Sequence, residues 1–175
     1  RIGGLAMLIG FLISLAVAAS LGWFRSVFED PIHILAIASA ATLIAVIGVL
    51  DDILDLDWTI KLAGQFMAAG ILAWQGVQIV SLPIGGLVIG SYGVSIVVTI
   101  FVTVLVMNAV NFIDGLDGLV AGVVLIGTSV FFVYTYLLAQ QTSPTNYFNL
   151  ASLISAIVIG VCLGFLPLNW HKAKI

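Results

Sequence analysis

The sequence predicts an all-α polytopic membrane protein of about six transmembrane helices with a small external β-hairpin, and three observations carry that prediction. Of the 175 residues, 62% are hydrophobic and 7% are charged, and mean hydropathy is +1.29. Ordinary globular domains run at about 45–50% apolar and about 25% charged. Six windows reach the roughly 17–25 mostly apolar residues that a helix needs to cross the bilayer core. The connections between those windows are short and hold most of the breakers and charges.

The first window, 4–22, follows Arg1 directly, with no n-region or cleavage site of a signal peptide. "FRSVFEDP" leads to the second, 33–50, and "DDILDLD" to the third, 60–78. The stretch "VQIVSLPIGGLVIGSYG" is too short and too glycine-rich for a crossing. Its alternation either side of Gly85-Gly86 predicts the external hairpin. Windows 93–110, 118–139 and 150–168 follow, the last two joined by "AQQTSPTNYFN". No linker or composition shift divides residues 1–175, so a single transmembrane domain is expected. The lone cysteine, Cys162, lies in an apolar run, which excludes a disulfide framework and reads as a small core residue. Gly160 and Gly164 form a small-xxx-small pair suited to close helix packing.

Six crossings place both ends of the chain on one side. Arg1, Lys61, Lys172 and Lys174 fall on that side and Arg25 on the other, so Lys and Arg divide four to one. The positive-inside rule makes the majority side cytoplasmic. Trp23, Trp58, Trp74 and Trp170 fall near span ends, as an interfacial aromatic belt would place them. His33 lies on the external side, where a structural role is expected, and His171 has no partner in the chain that would make it catalytic.

Six of the eight acidic residues gather on the cytoplasmic side: Asp51, Asp52, Asp55, Asp57, Asp114 and Asp117. Asp51 and Asp52 follow directly on "LIAVIGVL", where a helix leaves the bilayer. Were that helix to continue, Asp51 and Asp55 would share a face, with Asp52 about 100° away. The segment "VMNAVNFIDGLDGLVAG" spaces Asn108, Asn111, Asp114 and Asp117 by threes, a step that drifts about 60° each time on an α-helix. Gly115 and Gly118 predict a break that lets the four side chains converge from a turn. Ionisable groups at membrane depth are costly and usually face a bundle interior or a watery cavity, and irregular backbone is tolerated only there.

Carboxylates and carboxamides are hard oxygen ligands suited to Mg²⁺, which binds through one or two carboxylates plus substrate phosphates. Lys61 could hold a phosphate as a point charge, or anchor its helix at the headgroups by snorkelling. The residues by themselves lead to metal-dependent chemistry on a phosphate at a membrane surface, or to a cation pathway, and do not choose between the two.

At these residues the chain resembles the polyprenyl-phosphate N-acetylhexosamine-1-phosphate transferases (glycosyltransferase family 4). "RIGGLAM" is similar to the end of that family's first cytoplasmic loop, and "GVLDDILDLDWTIKLAGQ" to its D-D-x-x-D block. "NAVNFIDGLDGL" matches the N-x-x-N-x-x-D-G-x-D-G-L block throughout, and "LGFLPLNWHKAKI" resembles the approach to the next cytoplasmic loop. The nearest likeness is to the actinobacterial type, which acts on decaprenyl phosphate. The resemblance implies transfer of N-acetylglucosamine 1-phosphate from UDP-N-acetylglucosamine to a polyprenyl phosphate, releasing UMP. This would be the first membrane step of an envelope polymer such as lipopolysaccharide, teichoic acid or the arabinogalactan linker.

The same resemblance implies Mg²⁺, with Mn²⁺ as the alternative ion, held by Asn111 and Asp114. The catalytic residues it implies are Asp51, Asp52, Asp114 and Asp117, the first two acting at the lipid phosphate. Lys61, Asn108, Asn111, Gly115, Leu116 and Asn169 would bind substrate. The implied partners are a polyprenyl phosphate, a UDP-sugar and the membrane, with no nucleic acid, and a homodimer is compatible. The implied location is the bacterial plasma membrane with the site facing the cytoplasm.

Family members are about twice as long and carry a further N-terminal span, an F-M-G-D-x-G-S block with a metal-binding aspartate, and a later histidine loop. The expectation is that these 175 residues are an internal piece, inactive alone; Mg²⁺-dependent UMP release by the purified chain would overturn it. Two other readings stand beside the transferase. One is the phospho-N-acetylmuramoyl-pentapeptide transferase, which shares the second block but not the "DLDWTIKLAGQ" pattern. The other is a cation-coupled transporter, against which the clustering of acids at one face counts.

Overall fold

A computed structural model describes residues 3–81, 88–142 and 149–170. Its elements are α1 (Gly3–Ser20), a 3-10 turn (Gly22–Phe24), the short α2 (Arg25–Phe28), α3 (Ile32–Leu54), α4 (Trp58–Trp74), α5 (Tyr92–Ile113), α6 (Leu119–Thr142) and α7 (Leu150–Asn169). Five of them, α1, α3, α5, α6 and α7, are long and apolar enough to cross a membrane, and the protein is of the all-α polytopic membrane class.

The sixth expected crossing, 60–78, is the 17-residue α4, which stops at Trp74. Its end is a Schellman motif: Val77 N–H donates to Leu72 C=O (3.0 Å) and Gly76 N–H to Ala73 C=O (3.3 Å). Gly76 supplies the left-handed residue at φ +88°. A Cβ there would stand 3.2 Å from His33 Nε2, so this histidine packs against the turn, in keeping with a structural role.

The predicted hairpin is not seen as strands among the described residues. Its tip, Gly85-Gly86, lies outside them, and what remains is one antiparallel bridge between Ser81 and Val88. The approach to it is pinned to a helix: Thr99 Oγ1 accepts from Ile79 N–H (2.8 Å), and Ser95 Oγ donates to Ile79 C=O (2.6 Å). Both hydroxyl residues are buried. The backbone polar groups of Ile79 are therefore satisfied by α5 and need no partner strand.

The chain divides into two compact units, residues 1–31 with 113–175, and residues 32–112. In the first, α7 packs against both α6 and α1. Asn149 caps α7 by accepting from Ser152 N–H at 2.8 Å. Ser152 Oγ also reaches Thr135 Oγ1 of α6 at 3.2 Å, and such interhelical hydroxyl pairs tie membrane helices together. In the second unit α3 packs on α4 over small buried residues: Ala36 and Ala40 on one side, and Gly64, Ala68, Ala69 and Ala73 on the other. A Cβ on Gly64 would overlap Ile47 Cδ1, so any larger residue there requires the Ile47 side chain to move.

The close packing expected at Gly160 and Gly164 therefore occurs elsewhere. A Cβ on either would meet nothing within 4 Å, and both line a groove of about 330 Å³ beside α1. Large apolar side chains point outward instead, with Ile13, Leu35, Phe101, Ile126 and Val130 all more than half exposed, as helices facing lipid tails require. Trp58, Trp74 and Trp170 stand at helix ends and Trp23 in the 3-10 turn that follows α1, all exposed, where the aromatic belt was expected. Cys162 is fully buried, the small core residue that the sequence suggested.

Candidate active site

The second acid block is built by the ending of one helix and the start of the next. α5 continues to Ile113, so Asn108 and Asn111 belong to its last turns rather than to the break. Only Asp114 and Asp117 stand on the turn that runs to α6. The four side chains thus do not converge from one turn as the spacing suggested. The turn itself falls where Gly115 and Gly118 predicted it. Gly118 adopts φ +73°, a left-handed conformation that glycine takes without penalty.

This turn is held through its backbone. Gly118 N–H donates to Asn169 Oδ1 at 2.8 Å, across 51 positions of sequence. A Cβ on Gly118 would come within 3.5 Å of Trp170, Asn169 and Leu166, so the turn lies flat against the end of α7. α7 continues through Pro167 to reach Asn169, and only the last turn loses a hydrogen bond to the proline. Asn169, a candidate substrate contact by resemblance, is in the structure the anchor of the D-G-L-D-G turn.

Beside the turn lies a cavity of about 630 Å³. Asp114, Gly115, Leu116, Asp117 and Asn169 form its polar side. Gly3, Gly4 and Met7 of α1, Val120, Ala121 and Val124 of α6, and Cys162 and Phe165 of α7 complete it. Gly3 matters here because a Cβ on it would meet the Phe165 ring at 2.9 Å. A volume in the range of small-ligand sites, mostly apolar walls and a few convergent polar groups are the usual form of a binding pocket. "GGLAM", "DGLDGL" and "LGFLPLNW", far apart in sequence, thus contribute to one cavity.

The first acid block closes on itself. α3 ends at Leu54 and Asp55 turns left-handed, φ +49°, so Asp51 and Asp55 do not lie on one continuing helix face. Asp51 Oδ1 accepts from Leu56 N–H (3.1 Å) and pairs with Lys61 Nζ (2.8 Å). The carboxylate of Asp57 accepts from Thr59 Oγ1. Asp52 is exposed and has a partner within the protein. Lys61, expected at a phosphate, stands in the structure beside Asp51, with both side chains about one-third exposed (39% and 31%).

Asn108 is likewise engaged. Its Nδ2 donates to Gln65 Oε1 of α4 at 2.6 Å and to Val104 C=O at 2.8 Å. Gln65 closes the "DLDWTIKLAGQ" pattern in the sequence, and an uncharged amide amid "LAGQFMAAG" is itself a signal that a partner exists, which proves to be the half-buried Asn108. Asn111 is exposed near the end of α5. Asp114 and Asp117 with Asn169 belong to one compact unit, and Asp51 with Lys61 and Asn108 with Gln65 to the other. His171, Lys172 and Lys174 lie outside the described residues.

No solved structure matches. The chain is 39% identical over its whole length to the decaprenyl-phosphate N-acetylglucosaminephosphotransferase of Mycolicibacterium smegmatis, covering 44% of that protein. It is 37% identical to the protein of that name in Mycobacterium leprae, of which it covers 45%. A phospho-N-acetylmuramoyl-pentapeptide-transferase of Halalkalibacterium halodurans is 33% identical over 99% of the chain and 53% of that protein. The chain thus spans about half the length of the curated relatives it matches. The model of glycosyl transferase family 4 matches residues 34–175, a stretch that includes both acid blocks and Asn169, and the chain belongs to that family.

Proposed function

We propose that the protein carrying this segment transfers N-acetylglucosamine 1-phosphate from UDP-N-acetylglucosamine to a polyprenyl phosphate and releases UMP. In this reading it works in the bacterial plasma membrane with its site facing the cytoplasm. The observation that carries the proposal is the cavity beside the D-G-L-D-G turn, where two carboxylates and an anchored asparagine face a pocket of about 630 Å³. The relatives' names support a transfer of N-acetylglucosamine phosphate involving a polyprenyl phosphate, and the pocket offers a place for part of it.

The residues present fit a divalent cation in their chemistry. Asp114 and Asp117 are hard oxygen donors on one turn. No group of three or more His, Cys, Asp or Glu gathers among the described residues, but Mg²⁺ needs only one or two carboxylates beside substrate phosphates and water. Asp114, with Asn111 three residues before it, is the pair we assign to it. When bound, it would neutralise charge on the diphosphate as UMP departs. The chain's own groups do the rest. Gly115, Leu116 and Asp117 receive the nucleoside, and Asn169 fixes their turn. Asp52, beside the Asp51–Lys61 pair, orients or deprotonates the acceptor phosphate. Positioning and charge stabilisation of this kind are the main work in such transfers.

The test is UMP release by the full-length protein in proteoliposomes with polyprenyl phosphate. UDP-N-acetylglucosamine should support turnover and UDP-N-acetylmuramoyl-pentapeptide should not. The reverse preference would establish the pentapeptide transferase instead. Ion flux without any UMP release would establish a transporter.

A further inference from the structure

α4 contributes no acid to either block, yet it touches both. Lys61 and Gln65 are four residues apart, one turn and about 6 Å along the axis, and so share a face. Lys61 Nζ holds Asp51 of α3 at 2.8 Å, and Gln65 Oε1 holds Asn108 of α5 at 2.6 Å. All four residues lie in one compact unit. Both N–H groups of the Asn108 amide are engaged, one by Gln65 and one by Val104 C=O, since the amide nitrogen has only two to give. Asn108 therefore has no N–H left to donate to a substrate without breaking the helix contact.

We propose that Lys61 and Gln65 are positioning residues, a two-pronged clamp through which α4 sets the first acid block and the end of α5 in register. This rests on the transferase reading above. Asn111 follows Asn108 by three residues, within one turn of the same helix. The grip of Gln65 on Asn108 therefore fixes the rotation of α5 at the point where Asn111 is presented. Lys61 does the same for Asp51, whose carboxylate also accepts from Leu56 N–H and so sets the exit of α3. Gln65 acts through Asn108 and touches no reacting atom.

The test uses the full-length protein and two near-isosteric changes. Gln65→Met removes the acceptor, while Gln65→Glu keeps a carboxylate oxygen in its place. The expected result is a kcat lowered at least tenfold in Gln65→Met with KM for UDP-N-acetylglucosamine within twofold, and kcat within threefold of the parent in Gln65→Glu. Asn108→Leu should match Gln65→Met, and the double variant Gln65→Met/Asn108→Leu should fall no further. A raised KM with intact kcat, additive losses, or failure of Gln65→Glu to rescue would overturn the clamp.

Thermal unfolding of the same four proteins provides a reading independent of turnover. Non-additive shifts in Tm between Gln65→Met and Asn108→Leu are expected, and additive shifts overturn the clamp. If the parent itself releases no UMP, the transferase reading fails, while this coupling still decides whether the clamp exists.

Discussion

Asp51 and Asp114 occupy similar places in the chain, each where a long apolar helix gives out, and the structure treats them differently. The turn after α3 is held by its side chains: Asp51 accepts from Leu56 N–H and pairs with Lys61. The turn after α5 is held by its backbone, through Gly118 N–H to Asn169 Oδ1, and presents Asp114 and Asp117 to a cavity. The first turn is held through the Asp51 carboxylate, whereas the second is held through an amide, so its hold does not depend on the carboxylate of Asp114. The distinction separates Asp51, which shapes its turn, from Asp114, which faces the cavity.

The strongest way to break this contrast is to neutralise carboxylates on each turn of the full-length protein. Asp114→Asn and Asp117→Asn should each lower kcat by about 10²-fold or more, the scale of a lost acid–base or metal-binding group. Asp55→Asn should stay near the parent. Equal losses at all three positions, measured as UMP release, would erase the difference between the turns.

Next comes the anchor itself. Asn169→Leu strands the Gly118 N–H, at about 1–3 kcal/mol for an unsatisfied buried donor, while Asn169→Asp keeps an acceptor. Thermal unfolding should therefore show a lower Tm for the first and a near-parental Tm for the second. Gly118→Ala should cost about 1–2 kcal/mol from its left-handed backbone, read in the same experiment.

Lys61→Met sharpens the comparison from the other turn. An ion pair this exposed adds little to stability, so Tm should hold. The KM for polyprenyl phosphate should rise several-fold if Lys61 also meets the lipid phosphate, and kcat should fall if it acts only through Asp51. The smallest effect is expected at Asp55, at φ +49°. Asp55→Gly should be neutral or slightly stabilising in Tm. Asp55→Val should lose about 1 kcal/mol, because a β-branched residue resists that conformation.

Much of this was legible beforehand because membrane helices announce themselves by length and apolarity, and a D-G-x-D-G-L turn by its glycines. The break at Gly115 and Gly118 and the four tryptophans near helix ends follow from local chemistry alone. What the sequence hid depends on contacts between distant residues. Nothing near Asn169 says that it binds Gly118, and nothing near Asn108 says that its amide is taken by Gln65. Gly160 and Gly164 looked like a packing motif, yet the close approach uses Gly64, because it is Ile47 of the facing helix that decides where a missing Cβ is needed. The hairpin is seen among the described residues only as the Ser81–Val88 bridge: alternation signals extended backbone, and Ser95 and Thr99 pin that backbone from the side of a helix.

The shortness of α4 has a bearing on the lipid environment. Seventeen helical residues span about 25 Å at 1.5 Å each, while the hydrocarbon layer is about 30 Å thick. Were α4 to cross, the bilayer could thin or dimple around it, at a cost of a fraction of a kcal/mol for each ångström. Such a dimple would draw headgroups inward toward the end that carries Trp58 and Lys61, so the thickness of the host membrane would bear on the surroundings of the Asp51–Lys61 pair.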